Sequence, residues 1–332
     1  MARSEIRLLP LALAAACSCD GGATHGADAG ADLIVVDAAA DMASACGPDA
    51  APPGEAVGKW RPIASRFHRS SDFVVWTGTE MLVWGGLLHD DLPLSDTDTG
   101  DRYDPAVDAW SAMTTEGAPR QREHGTAVWT GSEMIVWGGD SGGPRLGDGG
   151  RYDPARDAWS PMAMDGAPSP RRYHVAVWTG DEMIVWGGDG QAVGQYHADG
   201  AAYDPVTDSW RAVSAGVGLE ARAGHSAVWT GTEMIVWGGF DRDSGFADGA
   251  RYDPALDAWR PVSARGMPFP RAFHSAVWTG SEMIVWGGFA GGRAFNNGGR
   301  YDPATDTWRP VAECGAPPGR TEHSAVWTGS EM

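Results

Sequence analysis

Basic residues are scarce in this chain, and lysine is almost missing. The sequence of 332 residues holds 25 lysines and arginines against 44 acids, for a net charge of −19, and Lys59 is its single lysine. This balance argues against a nucleic-acid partner, because phosphate binding requires a basic surface. It suits a soluble, exported protein that stays monomeric.

Cysteines are also few, and no catalytic motif is present. The four cysteines at 17, 19, 46 and 314 lack the paired C-x-x-C spacing of zinc sites, so we predict no metal and no cofactor. Cys46 and Cys314 are a candidate disulfide if the protein reaches an oxidising compartment, and two unrelated thiols otherwise. No nucleophile elbow, phosphate loop or triad spacing occurs, which favours a protein that is not an enzyme.

Long apolar runs are absent except at the start of the chain. Residues 8–16 form an apolar run after Arg3 and Arg7 that is too short to span a bilayer, which predicts an export signal over residues 1–19. The segment 13–17 resembles a bacterial lipoprotein leader, which implies lipidation of Cys17 and an outer-membrane or surface location. It departs from the usual pattern at Ala14, and Cys19 offers a second register, so secretion without a lipid stays open.

Residues 20–57 are poor in apolar side chains and rich in Ala, Gly, Asp and Pro. They contain seven acids and neither lysine nor arginine. Such a stretch cannot bury enough apolar surface to offset its ordering entropy. We predict a disordered tether here, followed by one folded domain over residues 58–332.

Tryptophan, in contrast, is abundant and periodic. A block of about fifty residues recurs, in which Ala-Val-Trp-Thr-Gly is followed by Glu-Met-Ile-Val-Trp-Gly-Gly, Arg-Tyr-Asp-Pro and Asp-x-Trp. All 17 tryptophans occupy repeat positions: 76, 129, 178, 229, 278 and 327 in the first phrase, 84, 137, 186, 237 and 286 in the second, and 60, 110, 159, 210, 259 and 308 at the close. Self-similarity at this period indicates a repeat architecture.

Each repeat predicts four short antiparallel strands. In the fourth copy, residues 225–230 alternate between two faces, Thr230-Gly231-Thr232 is a hairpin turn and residues 233–237 form the return strand. A variable loop leads to a third strand around 250–252, the Asp-Pro turn follows, and the fourth strand carries Trp259. Four-stranded units repeated around an axis make an all-β propeller.

Residues 58–332 resemble the kelch-repeat family. The likeness lies in the Gly-Gly doublet, the Tyr seven residues before a Trp and the Arg-x-x-His-Ser-Ala start of the repeat. Bacterial kelch-like envelope lipoproteins are the nearest description. We predict six blades, the last truncated at Met332 and closed by an N-terminal strand at 59–63, because Trp60-Arg61-Pro62 matches Trp308-Arg309-Pro310. Seven blades in a longer parent chain stay open. The resemblance implies that ligands or partner peptides dock where the channel opens.

The strongest candidate site is a column of arginines at the start of each blade. These are Arg69, Arg122, Arg171, Arg222, Arg271 and Arg320. They lie on the face of the variable loops, where recognition usually resides. A ring of guanidinium groups there would bind carboxylate, sulfate or phosphate through paired hydrogen bonds. In the alternative, each arginine forms a structural ion pair that is repeated in every blade.

Three further columns favour structural roles. Histidines at 174, 225, 274 and 323 are replaced by Asp72 and Gly125 in the first two blades; a repeated hydrogen bond explains them better than a metal. The glutamates of the first turn (80, 133, 182, 233 and 282) and the aspartates before the closing Trp (108, 157, 208, 257 and 306) are predicted turn and blade-packing residues.

Two functions remain open at this level. The first is a non-catalytic binding propeller whose ligand is an anionic glycan or acidic peptide held at the arginine-ringed mouth. Aromatic residues of the variable loops would be available to stack on a sugar; these are Tyr196, Phe240, Phe246, Phe289 and Phe295. The second is a sugar-acting enzyme like the sialic-acid mutarotases of kelch-like fold. A cluster of two acids or a His–acid pair confined to one place at the mouth would favour the enzyme, and a broad face of aromatic and polar loops would favour the binder.

Overall fold

The computed structural model describes residues 69–88, 95–215, 218–242 and 244–332. All regular elements in these ranges are β-strands, and the described residues include no helix long and apolar enough to cross a membrane. The predicted leader, the tether, Cys17, Cys46 and the N-terminal strand at 59–63 lie outside the described residues.

Five sheets of four antiparallel strands follow one another along the chain, and we call them blades 1 to 5. The strands of blades 1 and 2 are Phe73–Trp76, Met81–Trp84, Gly100–Asp104, Ala109–Ala112, Thr126–Trp129, Met134–Trp137, Gly149–Asp153 and Ala158–Pro161. Those of blades 3, 4 and 5 are Val175–Trp178, Met183–Trp186, Gly200–Asp204, Ser209–Val213, Ser226–Trp229, Met234–Trp237, Gly249–Asp253, Ala258–Pro261, Ser275–Trp278, Met283–Trp286, Gly298–Asp302 and Thr307–Pro310.

Two minor sheets lie in the loops. One has three strands, Arg69–Ser70, Leu87–Leu88 and Ser95–Asp96, and the other has two, Phe289–Ala290 and Arg293–Ala294.

The blades radiate from a central channel. Within each blade the strands pair in chain order, and the first strand of each blade contacts the first strand of the next. The first strands are therefore innermost, as the repeat predicts. The β-propeller prediction is confirmed.

The turns form as the repeat predicts. In blade 4 the Thr230 side-chain oxygen accepts from the Glu233 amide at 2.9 Å, and Gly231 has a φ of 101°, a conformation that glycine adopts without strain. The Asp253 carboxylate accepts from the amides of Ala255 and Leu256, which fixes the Asp-Pro turn.

The hydrophobic core lies between neighbouring blades. The second strands are buried along their whole length in blades 2 to 5, which explains their continuous Met-Ile-Val-Trp sequence. One cluster joins Phe73 and Trp84 of blade 1 to Met134, Tyr152 and Trp159 of blade 2, and equivalent clusters join the later pairs. Each blade thus buries its apolar faces against its neighbours.

The sixth copy of the repeat differs from the others. Residues 324–327, which carry its first-strand phrase, form no strand in the described chain. Cys314, in the link that precedes this copy, is disulfide-bonded, and its predicted partner Cys46 lies outside the described residues.

Candidate ligand-binding site at the channel mouth

The repeated arginines point into the blades. Arg122, Arg171, Arg222 and Arg271 expose at most 1% of their surface. Arg171 is typical: its Nη1 donates to the carbonyls of Gly187 at 3.0 Å and Asp199 at 3.1 Å, and its Nε donates to the carbonyl of Ser169 at 2.9 Å. Burial lowers the pKa of Arg171, against the raising effect of the Asp199 carboxylate. Each guanidinium therefore clamps the Gly-Gly segment to the loop before the third strand.

The terminal members of the arginine column differ in exposure. Arg69 makes the same type of contact, to the carbonyls of Gly85 and Thr99, and pairs with Asp101 at 3.0 Å. Arg320 is exposed and donates to the carbonyl of Pro318. The buried arginines do not form an anion-binding ring at the channel mouth, because their guanidinium groups are enclosed by backbone. Their geometry matches the structural alternative instead.

The channel mouth is built from the positions two residues after each arginine. We call Ser71, His124, Tyr173, Gly224, Phe273 and Glu322 the mouth ring. All six have left-handed backbone, with φ between 52° and 60°. The Tyr173 amide donates to the His124 carbonyl at 3.0 Å, and the same bond links each later member to the one before it, through Glu322.

The mouth ring is absent from the predicted site residues, although the sequence holds a signal for it. The flanking phrases repeat almost unchanged, whereas this column reads Ser, His, Tyr, Gly, Phe and Glu. Left-handed backbone is unfavourable for a bulky residue such as Tyr173 or Phe273, and strain of this kind concentrates at functional sites.

One half of the mouth is a network of charges. His124 Nδ1 lies 2.9 Å from Asp140 Oδ1, and Arg172 Nη1 donates to Asp140 Oδ2 at 3.0 Å. Arg145 and Arg172 both contact Asp189, at 2.8 and 3.3 Å. Burial raises the pKa of Asp140, but the His124 hydrogen bond and the charge of Arg172 outweigh it and hold the pKa below its usual value.

Glu123, His124 and Asp140 also meet the spacing of a metal site, since their ligand atoms lie within 4.8 Å of one another. Both oxygens of Asp140 are engaged by His124 and Arg172. A metal cation would have to displace the Arg172 guanidinium from Asp140. We therefore interpret the cluster as an ion-pair network.

The other half of the mouth is aromatic. The rings of Tyr173 and Phe273 lie 5.3 Å apart at 80°, Phe240 is 5.3 Å from Phe273, and Tyr196 is 5.8 Å from Phe240. Arg172 covers the ring of Tyr173 at 4.7 Å. Of the loop aromatics predicted to stack on a sugar, Tyr196 and Phe240 lie here.

Two of the remaining loop aromatics contact the arginine column. Phe246 and Phe295 cover the guanidinium groups of Arg222 and Arg271, at 4.2 and 4.4 Å, and Phe289 is 42% exposed. Phe246 and Phe295 therefore support the arginine clamps.

The histidine column lies beneath the mouth ring. Nε2 of His174, His274 and His323 lies 2.8 to 2.9 Å from a hydroxyl of the preceding blade. Burial lowers the pKa of His174 and His274 to about 3, so both are neutral at pH 7. Each imidazole also lies over a glycine; a Cβ on Gly138 would come within 2.6 Å of His174 Cε1.

Blades 2 and 4 lack the contact between an imidazole and a hydroxyl of the preceding blade. Gly125 stands in place of a histidine, and the Phe73 ring of the preceding blade takes the space, since a Cβ on Gly125 would lie 2.8 Å from it. His225 keeps its histidine, but the preceding blade presents Val175 where the others have a hydroxyl, and the buried Nε2 of His225 has no partner in the described residues.

The predicted turn and packing acids are confirmed in that role by their contacts. The Tyr152 hydroxyl donates to Asp157 at 2.7 Å, and Asp157 accepts the Thr114 amide of the previous blade at 2.9 Å. Glu80 accepts from Arg102 at 2.7 Å, and Glu282 pairs with Arg300 and Arg309.

A cavity of about 220 Å³ lies between the mouth ring and the histidine column. Its lining residues are His124, Gly125, Tyr173, His174, Gly224, His225, Phe273, His274, Glu322 and His323. The positions where the repeats diverge therefore meet around one small space on the channel axis.

A family model described as the KLHDC2/KLHL20/DRC7 Kelch-repeats domain matches residues 68–218 and 176–332. The chain belongs to the kelch-repeat family. Among curated proteins no relative matches it. Kelch propellers serve as interaction modules, so membership assigns a binding role to this domain in general terms. The mouth of this kelch propeller is where its repeats differ most in chemistry.

Proposed function

We propose that this kelch propeller is a non-catalytic binding protein that holds its ligand at the mouth ring. The observation that carries the proposal is the divergence of one column in a nearly uniform repeat. Its six members share one backbone conformation, backbone hydrogen bonds link those from His124 to Glu322, and these five present different chemistry to the cavity. The arginine column, whose buried members are structural, keeps one residue type in all six copies.

The ligand class is a glycan or a polypeptide that meets a half-charged, half-aromatic surface. The preference for an anion depended on the arginine column, whose buried members are committed to backbone carbonyls. The guanidinium groups at the mouth, Arg145 and Arg172, are partly buried and paired with Asp140 and Asp189. Neither guanidinium group is therefore left free to bind an anion.

The protein acts outside the cytoplasm in this proposal, as a monomer anchored through Cys17 to the cell envelope or secreted. The apolar leader and the acidic tether of the sequence support export. The disulfide at Cys314 also supports it, because such bonds persist in oxidising compartments.

The test uses glycine at two ring positions. Tyr173→Gly with Phe273→Gly removes both rings and relieves left-handed strain, and Gly224 already occupies the equivalent place in blade 4. Val206→Ala is the control, since Val206 is 91% exposed on the opposite turn. Wild type and both variants are applied to glycan and peptide arrays. We expect the double variant to lose ligands that the control retains; equal binding by all three proteins contradicts the proposal.

A second candidate is a carbohydrate-active enzyme. The observation that favours it is the pair of His124 and Asp140, 2.9 Å apart and found in one blade alone among those described. An ionised Asp140 would orient the imidazole for proton transfer, as general acid–base catalysis requires. Exchange between sugar anomers, followed by NMR, tests it: a rate enhancement that Asp140→Asn abolishes supports an enzyme, and no enhancement by the wild type rejects it.

A further inference from the structure

The cavity beneath the mouth ring carries an uncompensated negative charge. Of the described residues that line it, Glu322 is the one carboxylate, and none is a lysine or arginine. Of the five lining histidines, His124 is engaged by Asp140, and the four of the histidine column, at 174, 225, 274 and 323, all have pKa values lowered by burial. Because these imidazoles are neutral at pH 7, they do not balance Glu322.

The backbone of Glu322 is held in place, and its exposed side chain has no counter-ion among the described residues. Its amide donates to the Phe273 carbonyl at 3.0 Å, and its φ of 55° follows the ring. Its carboxylate makes no ion pair or hydrogen bond with the described residues. The arginine two residues earlier, Arg320, donates instead to the Pro318 carbonyl. A carboxylate without a partner at the edge of a cavity favours a cationic ligand.

Aromatic groups surround the same space. Phe273 neighbours Glu322 in the ring, and Tyr173 lies against Phe273. The Tyr173 hydroxyl makes no hydrogen bond with the described residues, so it can accept one from a ligand. Tyr173 already carries the Arg172 guanidinium over its ring at 4.7 Å, which demonstrates that a cation is compatible with this aromatic cluster.

The size of the cavity limits the ligand. At about 220 Å³ it is smaller than the roughly 300 Å³ at which pockets for drug-sized molecules begin, so it fits one side chain or a small amine. The net charge of −19 would also steer cations toward the protein.

The geometry points to an alkylammonium site in the channel, in which Glu322 pairs with a protonated amine and Tyr173 and Phe273 enclose its alkyl chain. This inference rests on the proposed function, because it names what the mouth ring binds. The amine is either free or the side chain of a lysine in a partner polypeptide.

The test is calorimetric titration of the full chain at low ionic strength. The probes are butylammonium chloride, Nα-acetyl-lysine N-methylamide, its norleucine counterpart without the amine, and N-acetylneuraminate. We expect both amines to bind and the norleucine compound and the anion not to. Tighter binding of the lysine compound than of butylammonium identifies a polypeptide lysine; the reverse identifies a free amine.

Glu322→Gln should weaken amine binding at least tenfold, because it removes the paired charge and keeps the shape. Glu331→Gln is the matched control: it changes the same charge in the same repeat, at the exposed turn, and should bind as the wild type does. Amine binding that is absent, or unchanged in Glu322→Gln, overturns the inference. If the array ligands still depend on Tyr173 and Phe273 in that case, the mouth remains the binding site and the cation assignment alone fails.

Discussion

Replacing Arg171 with methionine distinguishes a structural arginine column from a ligand-binding one. The Arg171 guanidinium donates to three carbonyls, those of Ser169, Gly187 and Asp199, and its surface is 0% exposed. Methionine fills most of the volume but donates no hydrogen bond. Each of the three carbonyls left without a donor costs about 1–3 kcal/mol, and the relief from burying the Arg171 charge offsets part of this total cost. We therefore expect a loss of about 3–5 kcal/mol in the free energy of unfolding.

Urea unfolding followed by tryptophan fluorescence measures this loss, with the slope m compared between variants to confirm that the same surface unfolds. Arg156→Met is the matched control, since the Arg156 side chain is 81% exposed and pairs only with Asp153 at a turn. An exposed ion pair of this kind contributes little. A change below about 0.5 kcal/mol for Arg171→Met would refute the clamp, because ordinary surface substitutions have effects of that size.

Three further outcomes follow from the histidine column. Val175→Thr should raise the free energy of unfolding by about 1 kcal/mol in urea melts, because it supplies the hydroxyl that His225 lacks; a loss of stability would show that the imidazole does not need it. Gly138→Ala should lower the free energy of unfolding by more than about 2 kcal/mol, because the added Cβ clashes with His174. Gly131 also has positive φ but open space around it, so Gly131→Ala should cost only the backbone strain of about 1 kcal/mol. Equal losses in the two variants would contradict the clash. The pKa of His174 is about 3 when folded and near 6.5 when unfolded, so the unfolded chain binds the extra proton and stability falls as the pH drops from about 6.5 toward 3. His174 contributes about 1.4 kcal/mol per pH unit to this slope, in addition to the other buried histidines, so His174→Gln should reduce the slope by about that amount when melts at several pH values are compared; an unchanged slope would place the proton elsewhere.

The repeating part of the fold is predictable from the sequence because its signals are local. Strand pairs, turns and the closing Trp depend on residues within one copy, as the Thr230 and Asp253 turns illustrate. The acids at 157 and 282 are also assigned correctly, because they recur at turn positions. Their position in the repeat was sufficient to assign these residues a structural role.

The candidate site is less predictable, because side-chain direction depends on neighbouring blades. The arginine column was placed at the correct end of the first strands, but the left-handed residue two positions later turns the chain, and the guanidinium group enters the blade. The charge network of Asp140, Arg145, Arg172 and Asp189 joins loops of two blades and has no signature within one copy.

The sequence by itself determined that similar β units repeat with tryptophan at their interfaces, because periodic residues are readable one copy at a time. The tertiary structure alone decided which column faces the channel. Closing the units around an axis brings Tyr173 into contact with Phe273, although the two are about one hundred residues apart in the chain. The blade between them presents only Gly224 at this position, which leaves room for the contact. The physical reason is that burial and pairing at the axis are properties of the assembled blades, and no single copy of the repeat contains them.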